Sequence, residues 1–450
     1  MAKSKQKFIC QNCEAVFYKW AGRCENCGEW NSLVEQTLPE VGRSAVARSI
    51  NNGKPLQVNS LNSIPFEEGM KRLKTGIGDL DIILGGGILP GGVTLLAGQP
   101  GIGKSTLLLQ TVANIAHNYN VLYISGEESA GQVRLRAVRL GADKSSNLNF
   151  AASTSADDIA ATIRTGKYQL VVVDSVQTLH LNEITSSPGS ISQITNSSNV
   201  IINAAKETGT SVIFVGHVTK EGSIAGPKIL EHLVDVVLQF EGDRYGGFKI
   251  VRAVKNRYGS TNEAAIFEMG EKGLKIVENP SAALLAERRD EDGSVVLATL
   301  EGARPLLVEI QALVNSTNFG YPKRTASGFD INRLNLLIAV LERRTKLKLS
   351  DKDIYINVVG GIKISDPAAD LAICMAIASA SAGRRLNYGT VVFGEVGLGG
   401  EVRSVTSIEK RIAEAKKLGF TKALAPRTSK DDFIIGVDNV RSTLIEYLQK

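Results

Sequence analysis

The sequence predicts an α/β protein with several domains and a largely parallel central sheet. Three observations support this fold class. Between residues 63 and 280, apolar strand-like runs alternate with helical stretches, which is typical of parallel strands joined by helical crossovers. A glycine-rich loop motif lies between the first of these runs and the helix that follows it. The chain has 450 residues, too many for one core, so two or three domains are expected.

The composition is that of a globular protein. Hydrophobic residues make up 43% of the chain, the mean hydropathy is close to zero, and no apolar run is long enough to span a bilayer. The N-terminal segment MAKSKQKFICQNC is basic but lacks an apolar core, so no secretory signal is expected. Four of the five cysteines lie within the first 27 residues in metal-like spacing, which suits a reducing cytosol. The net charge of +6 permits an anionic partner without establishing one.

Two C-x-x-C knuckles indicate a zinc ribbon at residues 1–36. Cys10 with Cys13, and Cys24 with Cys27, form short turns that can aim their thiolates at one tetrahedral Zn²⁺. The segment is too small to fold by apolar burial, so the metal would supply the folding free energy. A redox dithiol is the alternative interpretation. As a structural module, such a ribbon can bind DNA or protein, and the sequence leaves both partners open.

Three segments follow the ribbon. Residues 37–62 are polar and lack periodicity, which is typical of a linker. Residues 63–280 carry the apolar strands VTLLAG, VLYISG, QLVVVDS, TSVIFVGH and DVVLQFEG, which predict a sheet covered on both faces. The charged stretch ENPSAALLAERRDEDG marks a boundary, so residues 281–450 are expected to form a second α/β domain. Its predicted elements are the strands SVVLATLEG, LLVEIQALV and IYINVV, the helix DINRLNLLIAVLERRT and the buried helix LAICMAIASASAG.

The glycine-rich motif predicts a nucleotide site. GQPGIGKS fits the pattern G-x-x-x-x-G-K-[ST], with a strand before it and a helix after it. Glycines let backbone N–H groups turn toward phosphates, Lys104 would reach the β- and γ-phosphates, and the Ser105 hydroxyl would ligate Mg²⁺. The predicted ATP-binding residues are Gly98, Gln99, Pro100, Gly101, Ile102, Gly103, Lys104, Ser105 and Thr106.

Three further strands end in polar residues that we expect at the same sheet edge. Asp174 would hold the Mg²⁺ shell, although an aspartate there can also cap the next helix. Glu127, with Glu128 as the second candidate, would orient and deprotonate the attacking water. The alternative is an acidic pair that starts a helix, where the helix dipole favours it. His217 is expected to donate to the γ-phosphate, and its alternative role is that of a packed structural residue.

Lys255 and Arg257 form a basic pair at the end of the strand FKIVRAV. Two cations separated by one residue on a strand point the same way, so an anion should face them. In ring ATPases with this kind of core, such cations act as fingers on the γ-phosphate of the neighbouring subunit. We expect that role here. The alternative is a surface pair that protects an edge strand from aggregation.

The order of motifs resembles that of the bacterial RadA (Sms) DNA repair protein family over essentially the whole chain. After the cysteine knuckles come KTGIGDLDIILGGGILPGG, GQPGIGKST, YISGEES, VVVDSVQT, FVGHVTKEGSIAGPK, KNRYG, GGIKISDPAADLAI and GEVGLGGEVRSV. The most specific of these is KNRYG, because K-N-R-[FY]-G is the family's own marker. Tyr258 stands where phenylalanine is usual.

The resemblance implies a RecA-like ATPase core that assembles as a hexameric ring. It also implies binding of single-stranded and branched DNA, ATP-driven branch migration, and the RecA strand-exchange protein as a candidate partner. Two loops would face the ring axis, at residues 178–198 and 219–233, with Lys220 and Lys228 as the DNA-binding residues. Their composition suits tracking of the backbone rather than reading of bases. Both segments can alternatively be mobile surface loops.

The C-terminal region resembles the Lon protease domain, a family with a Ser-Lys dyad. Ala368 stands at the serine position, and the alignment of motifs places Glu409 at the lysine position, with Lys410 adjacent. A methyl group cannot attack a carbonyl, so the resemblance implies a non-proteolytic scaffold. An ATP-dependent protease and a regulatory ATPase that binds protein partners are the competing functions.

Overall fold

The computed structural model describes residues 7–10, 15–30, 32–36, 60, 71–217, 229–242, 247–317, 320–427 and 431–448. The chain divides into two compact units, residues 1–68 and residues 69–450. Among the helices of the described ranges, none has both the length and the apolar character needed to cross a bilayer.

The first unit is a small antiparallel sheet. Its strands are β1 (Lys7–Cys10), β2 (Val16–Phe17) and β3 (Leu33–Gln36), in the order β2-β1-β3. Its buried apolar core contains little more than Cys10, Cys24 and Leu33. Both tryptophans of the chain, Trp20 and Trp30, lie in this unit and are more than 60% exposed. So small a core cannot fold this unit alone, which agrees with a structural metal.

A nine-stranded sheet forms the first part of the second unit. Its strands are β4 (Val93–Gly98), β5 (Val121–Ser125), β6 (Leu148–Ala152), β7 (Leu170–Asp174), β8 (Ser211–His217), β9 (Val236–Gly242), β10 (Lys249–Asn256), β11 (Ala264–Gly270) and β12 (Gly273–Ile276). They lie in the order β12-β11-β10-β9-β4-β8-β7-β5-β6. The six strands from β9 to β6 in this order are parallel, and β10, β11 and β12 are antiparallel. All five strands predicted for this sheet are confirmed.

Helices cover both faces of the parallel part of the sheet. They are α1 (Gly78–Ile83), α2 (Lys104–Ile115), α3 (Ala130–Leu140), α4 (Ala156–Arg164), α5 (Ile191–Thr208) and α6 (Ile229–Leu233). Helices α1, α2 and α3 contribute to the core on one face, and α4, α5 and α6 to the core on the other. Strands β4, β5 and β7 are buried along their whole length, as their uninterrupted apolar sequences predict.

A seven-stranded mixed sheet forms the rest of the unit. Its strands are β13 (Ser294–Glu301), β14 (Arg304–Ser316), β15 (Arg324–Ser327), β16 (Lys352–Val358), β17 (Thr390–Val392), β20 (Lys422–Pro426) and β21 (Ile434–Val437), in the order β15-β16-β14-β13-β17-β20-β21, and β18 (Glu395–Val396) pairs separately with β19 (Val402–Arg403). The helices are α7 (Pro280–Leu285), α8 (Ile331–Thr345), α9 (Ala369–Ala382), α10 (Ile408–Lys417) and α11 (Val440–Tyr447). The small-residue helix α9 is buried along most of its length, as predicted.

The two sheets share one hydrophobic core. Ile250 of β10 and Ile266 of β11 pack in the same cluster as the buried residues of β13 and β14. The ion pair between Arg304 and Asp79 joins the two parts at 2.8 Å, and Arg252 contacts Glu301 at 3.1 Å. The predicted boundary between residues 280 and 281 therefore falls inside a continuous packed unit, and the domain limits stay a prediction.

An ion pair fixes the turn before α9, which contains Ala368, the residue predicted at the serine position. Ala368 is fully buried, and its backbone N–H donates to Asp366 at 3.0 Å. The placement of Glu409 at the dyad's lysine position stays a prediction, and the α10 side chain that reaches this turn is the buried Arg411. Arg411 contacts Asp366 at 2.7 Å and holds the pKa of that carboxyl below its usual value, against the opposing effect of burial. Asp366 also accepts from Thr299 and from the Leu300 N–H, so the turn is fixed by a structural ion pair.

We expect Arg411→Met to lower the free energy of unfolding by about 3–5 kcal/mol, because it leaves Asp366 largely buried without its cation. Lys410→Ala is the matched control, since Lys410 is the exposed neighbour on the same helix, and it should change stability by less than about 0.5 kcal/mol. Urea unfolding followed by circular dichroism measures both. Equal stability of the two variants would show that the ion pair does not hold this turn.

Candidate active site

A cavity of about 400 Å³ opens at the carboxyl ends of the parallel strands. Strands β4, β5, β7 and β8 are neighbours in the sheet, and all four end at its rim. Its lining residues are Pro100, Gly101, Gly103, Lys104, Ser105, Thr106, Ser125, Glu127, Glu128, Arg136, Arg139, Asp174 and His217. The structure thus brings together the predicted loop, both glutamates, the aspartate and the histidine.

The loop between β4 and α2 needs glycine at specific points. Gly101 and Gly103 have φ values of 78° and 116°, which side chains other than glycine rarely adopt. A Cβ on Gly98 would lie 2.6 Å from the carbonyl oxygen of Phe240. Ile102 is buried and anchors the loop in the core below. Gln99 and Ile102 lie on the far side of the loop, where they line a separate cavity against the C-terminal sheet.

Lys104 is buried at the first turn of α2. Its Nζ donates to the carbonyls of Gly98 at 2.7 Å and Gln99 at 3.0 Å, and contacts Nδ1 of His217 at 3.2 Å. Burial lowers the pKa of Lys104 to about 8, although Asp174 and Glu127 oppose the shift. Three polar atoms therefore hold this cation beside the place where phosphates would lie.

Ser105 and Asp174 provide oxygen donors for a divalent cation. The Ser105 hydroxyl donates to Oδ2 of Asp174 at 2.8 Å, and the Tyr123 hydroxyl donates to the same oxygen at 2.6 Å. Mg²⁺ prefers one or two protein oxygens together with water and phosphate oxygens, so this pair fits it. Burial raises the pKa of Tyr123, and Asp174 raises it further. Sequence reasoning missed Tyr123, which lies inside an otherwise aliphatic strand.

Glu127 is held by two donors at the rim of the cavity. Its carboxylate accepts from the Ser175 hydroxyl and contacts Nε2 of His217 at 3.2 Å. A protonated Lys104 can only donate, so Nδ1 of His217 accepts and the ring proton lies on Nε2, directed at Glu127. The hydrogen bond from His217 is the main reason why the pKa of Glu127 falls to about 2. His217 therefore connects Lys104 with Glu127.

Glu128 is engaged elsewhere. Its two carboxylate oxygens accept from Arg136 of α3 at 2.5 and 2.7 Å in a bidentate pair. Ser129 caps the same helix through a capping box with Gln132. Glu128 thus serves the start of α3, as the alternative interpretation of the acidic pair held, while Glu127 remains directed at the cavity.

Lys255 and Arg257 lie at the amino ends of the parallel strands, on the side of the sheet opposite to the cavity. Because β10 runs antiparallel to β9, Asn256 pairs with Val236 at the start of β9, whereas the phosphate loop pairs with Phe240 near its end. Four residues of strand, about 13 Å, separate these levels. The pair therefore does not lie at the carboxyl ends of the parallel strands, where the other site residues meet. The two cations cannot reach the cavity of their own chain.

Both cations contact α6 or the short connection that joins it to β9. Lys255 Nζ donates to the carbonyls of Glu231 and Val234, at 2.7 Å each. Arg257 contacts the buried Asp235 at 3.2 Å, while its own side chain is 55% exposed. Asp235 also accepts from the Val93 N–H at 3.0 Å. The pair thus links the segment after α6 with the start of β4.

The other residues of KNRYG shape the turn that carries the pair. Asn256 donates to the carbonyl of Ile83 at 2.9 Å and accepts from the Tyr258 N–H at 2.8 Å. A Cβ on Gly259 would lie 2.8 Å from Cα of Gly85, so two glycines are required where the turns meet. The Tyr258 hydroxyl bonds to Asp235, and burial is the main cause that raises its pKa to about 12. A phenylalanine at position 258 would lack this bond.

The predicted zinc ligands are partly described. The sulfur atoms of Cys10, Cys24 and Cys27 all lie within 4.8 Å of one another, a set of soft donors that fits Zn²⁺. Cys13 lies outside the described residues.

The predicted DNA loops are also only partly described. Lys220 and Lys228 lie outside the described residues, so their role stays a prediction. The segment 178–198 is not a loop throughout, because α5 begins at Ile191 after the cap Ser190. The buried Gln193 side chain bonds to the backbone of Leu181 at 2.9 Å and also to the carbonyls of Ile184 and Ser186. This glutamine orders the remaining loop, and its polar side chain gave no such signal in the sequence.

Comparison with protein families assigns three regions. Residues 8–35 match the rubredoxin metal binding domain, residues 69–223 match the AAA domain, and residues 334–429 match the ChlI subunit of Mg-chelatase. These matches confirm the predicted fold class: an α/β P-loop ATPase core, an N-terminal zinc ribbon and a ChlI- or Lon-like C-terminal domain.

Full-length relatives share close to half of the residues. The chain is 48% identical to the DNA repair protein RadA of Bacillus subtilis, with 99% of each chain covered. It is 46% identical to the protein of the same name from Pseudomonas aeruginosa, over 95% of this chain and 94% of the relative. The RadA of Listeria monocytogenes is 45% identical, again over 99% of both chains.

We expect nucleotide binding to weaken as the pH rises through the Lys104 pKa of about 8. Burial favours the neutral amine, so the protonated fraction falls above this pKa, whereas phosphates bind the protonated form and raise its pKa. Binding of ADP should therefore take up protons at this pH, which calorimetry in buffers of different ionisation enthalpy measures. Lys104→Arg is the control, because a guanidinium stays protonated and its proton uptake should vanish. Proton uptake that persists in Lys104→Arg would assign the titration to another group.

Proposed function

Since the chain belongs to the bacterial RadA family of DNA repair proteins, we propose that it is a DNA-stimulated ATPase of homologous recombination, which binds single-stranded DNA as a hexameric ring and drives branch migration. The observation that carries this proposal is the convergence of Lys104, the Ser105–Asp174 pair and Glu127 on one cavity. A phosphate loop, a cation site and a carboxylate base are what hydrolysis of a nucleoside triphosphate requires.

Binding of ATP would exchange the partners of Lys104. The ammonium group gives up the carbonyls of Gly98 and Gln99 for the β- and γ-phosphate oxygens. Ser105 and Asp174 would hold Mg²⁺, which supplies positive charge against the phosphate oxygens. The helix dipole of α2 points its positive end at the same place.

Glu127 is the proposed base. Its carboxylate accepts a proton from a water molecule, and the water oxygen forms a bond to the γ-phosphorus. The bond from that phosphorus to the bridging oxygen breaks, and the electron pair leaves with ADP. Ser175 and His217 hold Glu127 in place for this step. Glu128 is the weaker candidate, because Arg136 occupies both of its oxygens.

The site is completed by a neighbouring subunit. Lys255 and Arg257 lie at the edge opposite to their own phosphate loop, so a ring that stacks this edge against the cavity of the next protomer places them at its γ-phosphate. To reach it, Lys255 must leave the carbonyls of Glu231 and Val234. Glu231 lies near the end of the second predicted DNA loop, in α6, and Val234 directly follows that loop. ATP at one site would thereby release the DNA loop of the subunit that lends the finger.

The proposed DNA contacts follow the backbone. Lys220 and Lys228 would track phosphates of single-stranded or branched DNA, and the RecA strand-exchange protein is the proposed partner in recombination. The protein would act in the cytosol, without a membrane partner. The C-terminal domain would support the ring and not cleave peptides, because Ala368 lacks a nucleophile.

We expect single-stranded DNA to increase ATP hydrolysis several-fold, and Lys104→Ala to abolish hydrolysis with and without DNA. Binding of a labelled oligonucleotide should weaken steeply with salt concentration, because phosphate contacts release counterions. Lys167→Ala, at an exposed lysine outside the cavity, is the control and should keep both activities. Hydrolysis that DNA does not affect, with no salt-dependent DNA binding, would instead indicate an ATPase regulated by protein partners.

We expect a mixture of two inactive variants to recover activity. The Arg257→Ala subunit keeps an intact cavity but cannot supply the arginine to the γ-phosphate of its neighbour. The Glu127→Gln subunit supplies that arginine but lacks the base in its own cavity. In randomly mixed rings about a quarter of the sites combine an intact cavity with an intact finger, so about a quarter of wild-type hydrolysis should return. Each variant alone, measured at the same total concentration, is the control. A mixture as inactive as its components would exclude action between subunits.

A further inference from the structure

We propose that Tyr123 is a positioning residue of the cation site, which orients Asp174 from the buried side of the sheet. The inference rests on the proposed ATPase function and adds to it a residue outside the phosphate loop. Tyr123 lies in the middle of β5 and pairs with Val172 of β7, two residues before Asp174. Its hydroxyl donates to Oδ2 of Asp174 at 2.6 Å.

The surroundings make the hydroxyl difficult to replace. Tyr123 is 1% exposed and Asp174 is 6% exposed. Its ring packs in the apolar core between β5 and the helices α2 and α3, together with Leu109 and Val133. A phenylalanine would pack there equally well, so the packing does not explain the hydroxyl. The hydroxyl instead lies against the two proposed cation-site residues: it donates to the carboxylate of Asp174 and also bonds to the Ser105 side chain.

The effect on the cation site passes through Ser105. Its hydroxyl has a single proton, which it donates to the same Oδ2 of Asp174 at 2.8 Å. With the proton fixed there, the lone pairs of the Ser105 oxygen are left for a cation in the cavity. The Tyr123 hydrogen bond fixes the position of Oδ2, and Oδ2 in turn fixes the direction of the Ser105 proton. Outer partners of this kind commonly tune metal affinity.

The experiment separates metal affinity from hydrolysis. Binding of a fluorescent ADP analogue to the full-length protein is titrated with Mg²⁺, in wild type, in Tyr123→Phe and in the control Tyr119→Phe. Tyr119 packs at the edge of the same core. We expect Tyr123→Phe to raise the half-saturating Mg²⁺ concentration about tenfold or more, with binding in excess chelator unchanged. Tyr119→Phe should follow wild type.

A double-mutant cycle tests the route through Asp174. In the Asp174→Asn background, Tyr123→Phe should produce no further shift, because the carboxylate it acts on is gone. A Tyr123→Phe protein that melts at a lower temperature but has the wild-type Mg²⁺ titration would overturn the proposal and leave the hydroxyl a purely structural role. An equal shift in both backgrounds would also overturn it. Neither readout involves DNA, so failure of the DNA-stimulated ATPase proposal would be seen separately.

Discussion

The parallel alignment of buried strands is the constraint on which the rest of the structure depends. Strands β4, β5, β7 and β8 are covered by helices on both faces, so they cannot carry unpaired polar side chains along their length. Polar side chains without a partner in the sheet are tolerated only where each strand leaves the core. Because the strands are parallel and adjacent, these exits lie at one edge. The cavity is thus a consequence of burial as much as of the individual residues around it.

The reversal of chain direction at β10 separates Lys255 and Arg257 from this group of polar strand ends. The antiparallel hairpin from β9 to β10 returns the chain to the other edge, and that is where Lys255 and Arg257 emerge. The position of a motif at the end of a strand therefore does not reveal on which side of the sheet, at the cavity or opposite to it, the motif lies. The direction of the strand must be known as well. The apolar pattern of FKIVRAV does not contain that information.

Much of the fold could be predicted because its signals are local. The phosphate loop, the apolar strands and the helix capped by Asp330 have patterns that are complete within a few residues. What could not be predicted depends on distant pairs. Arg411 meets Asp366 across 45 positions, and Gln193 orders a loop through backbone groups that any sequence would provide. Tyr123 resembles one more apolar strand residue until its hydroxyl is seen against Asp174.

The position of the tryptophans gives the protein a built-in optical label. Trp20 and Trp30 are the only two in the sequence, and both are solvent-exposed in the small cysteine-rich sheet. Emission excited selectively from indole therefore originates within that sheet, while the nucleotide cavity and the C-terminal sheet remain dark at that wavelength. A change in colour or intensity on adding a chelator, a protein or an oligonucleotide would report on the N-terminal module in the intact chain, without any dye.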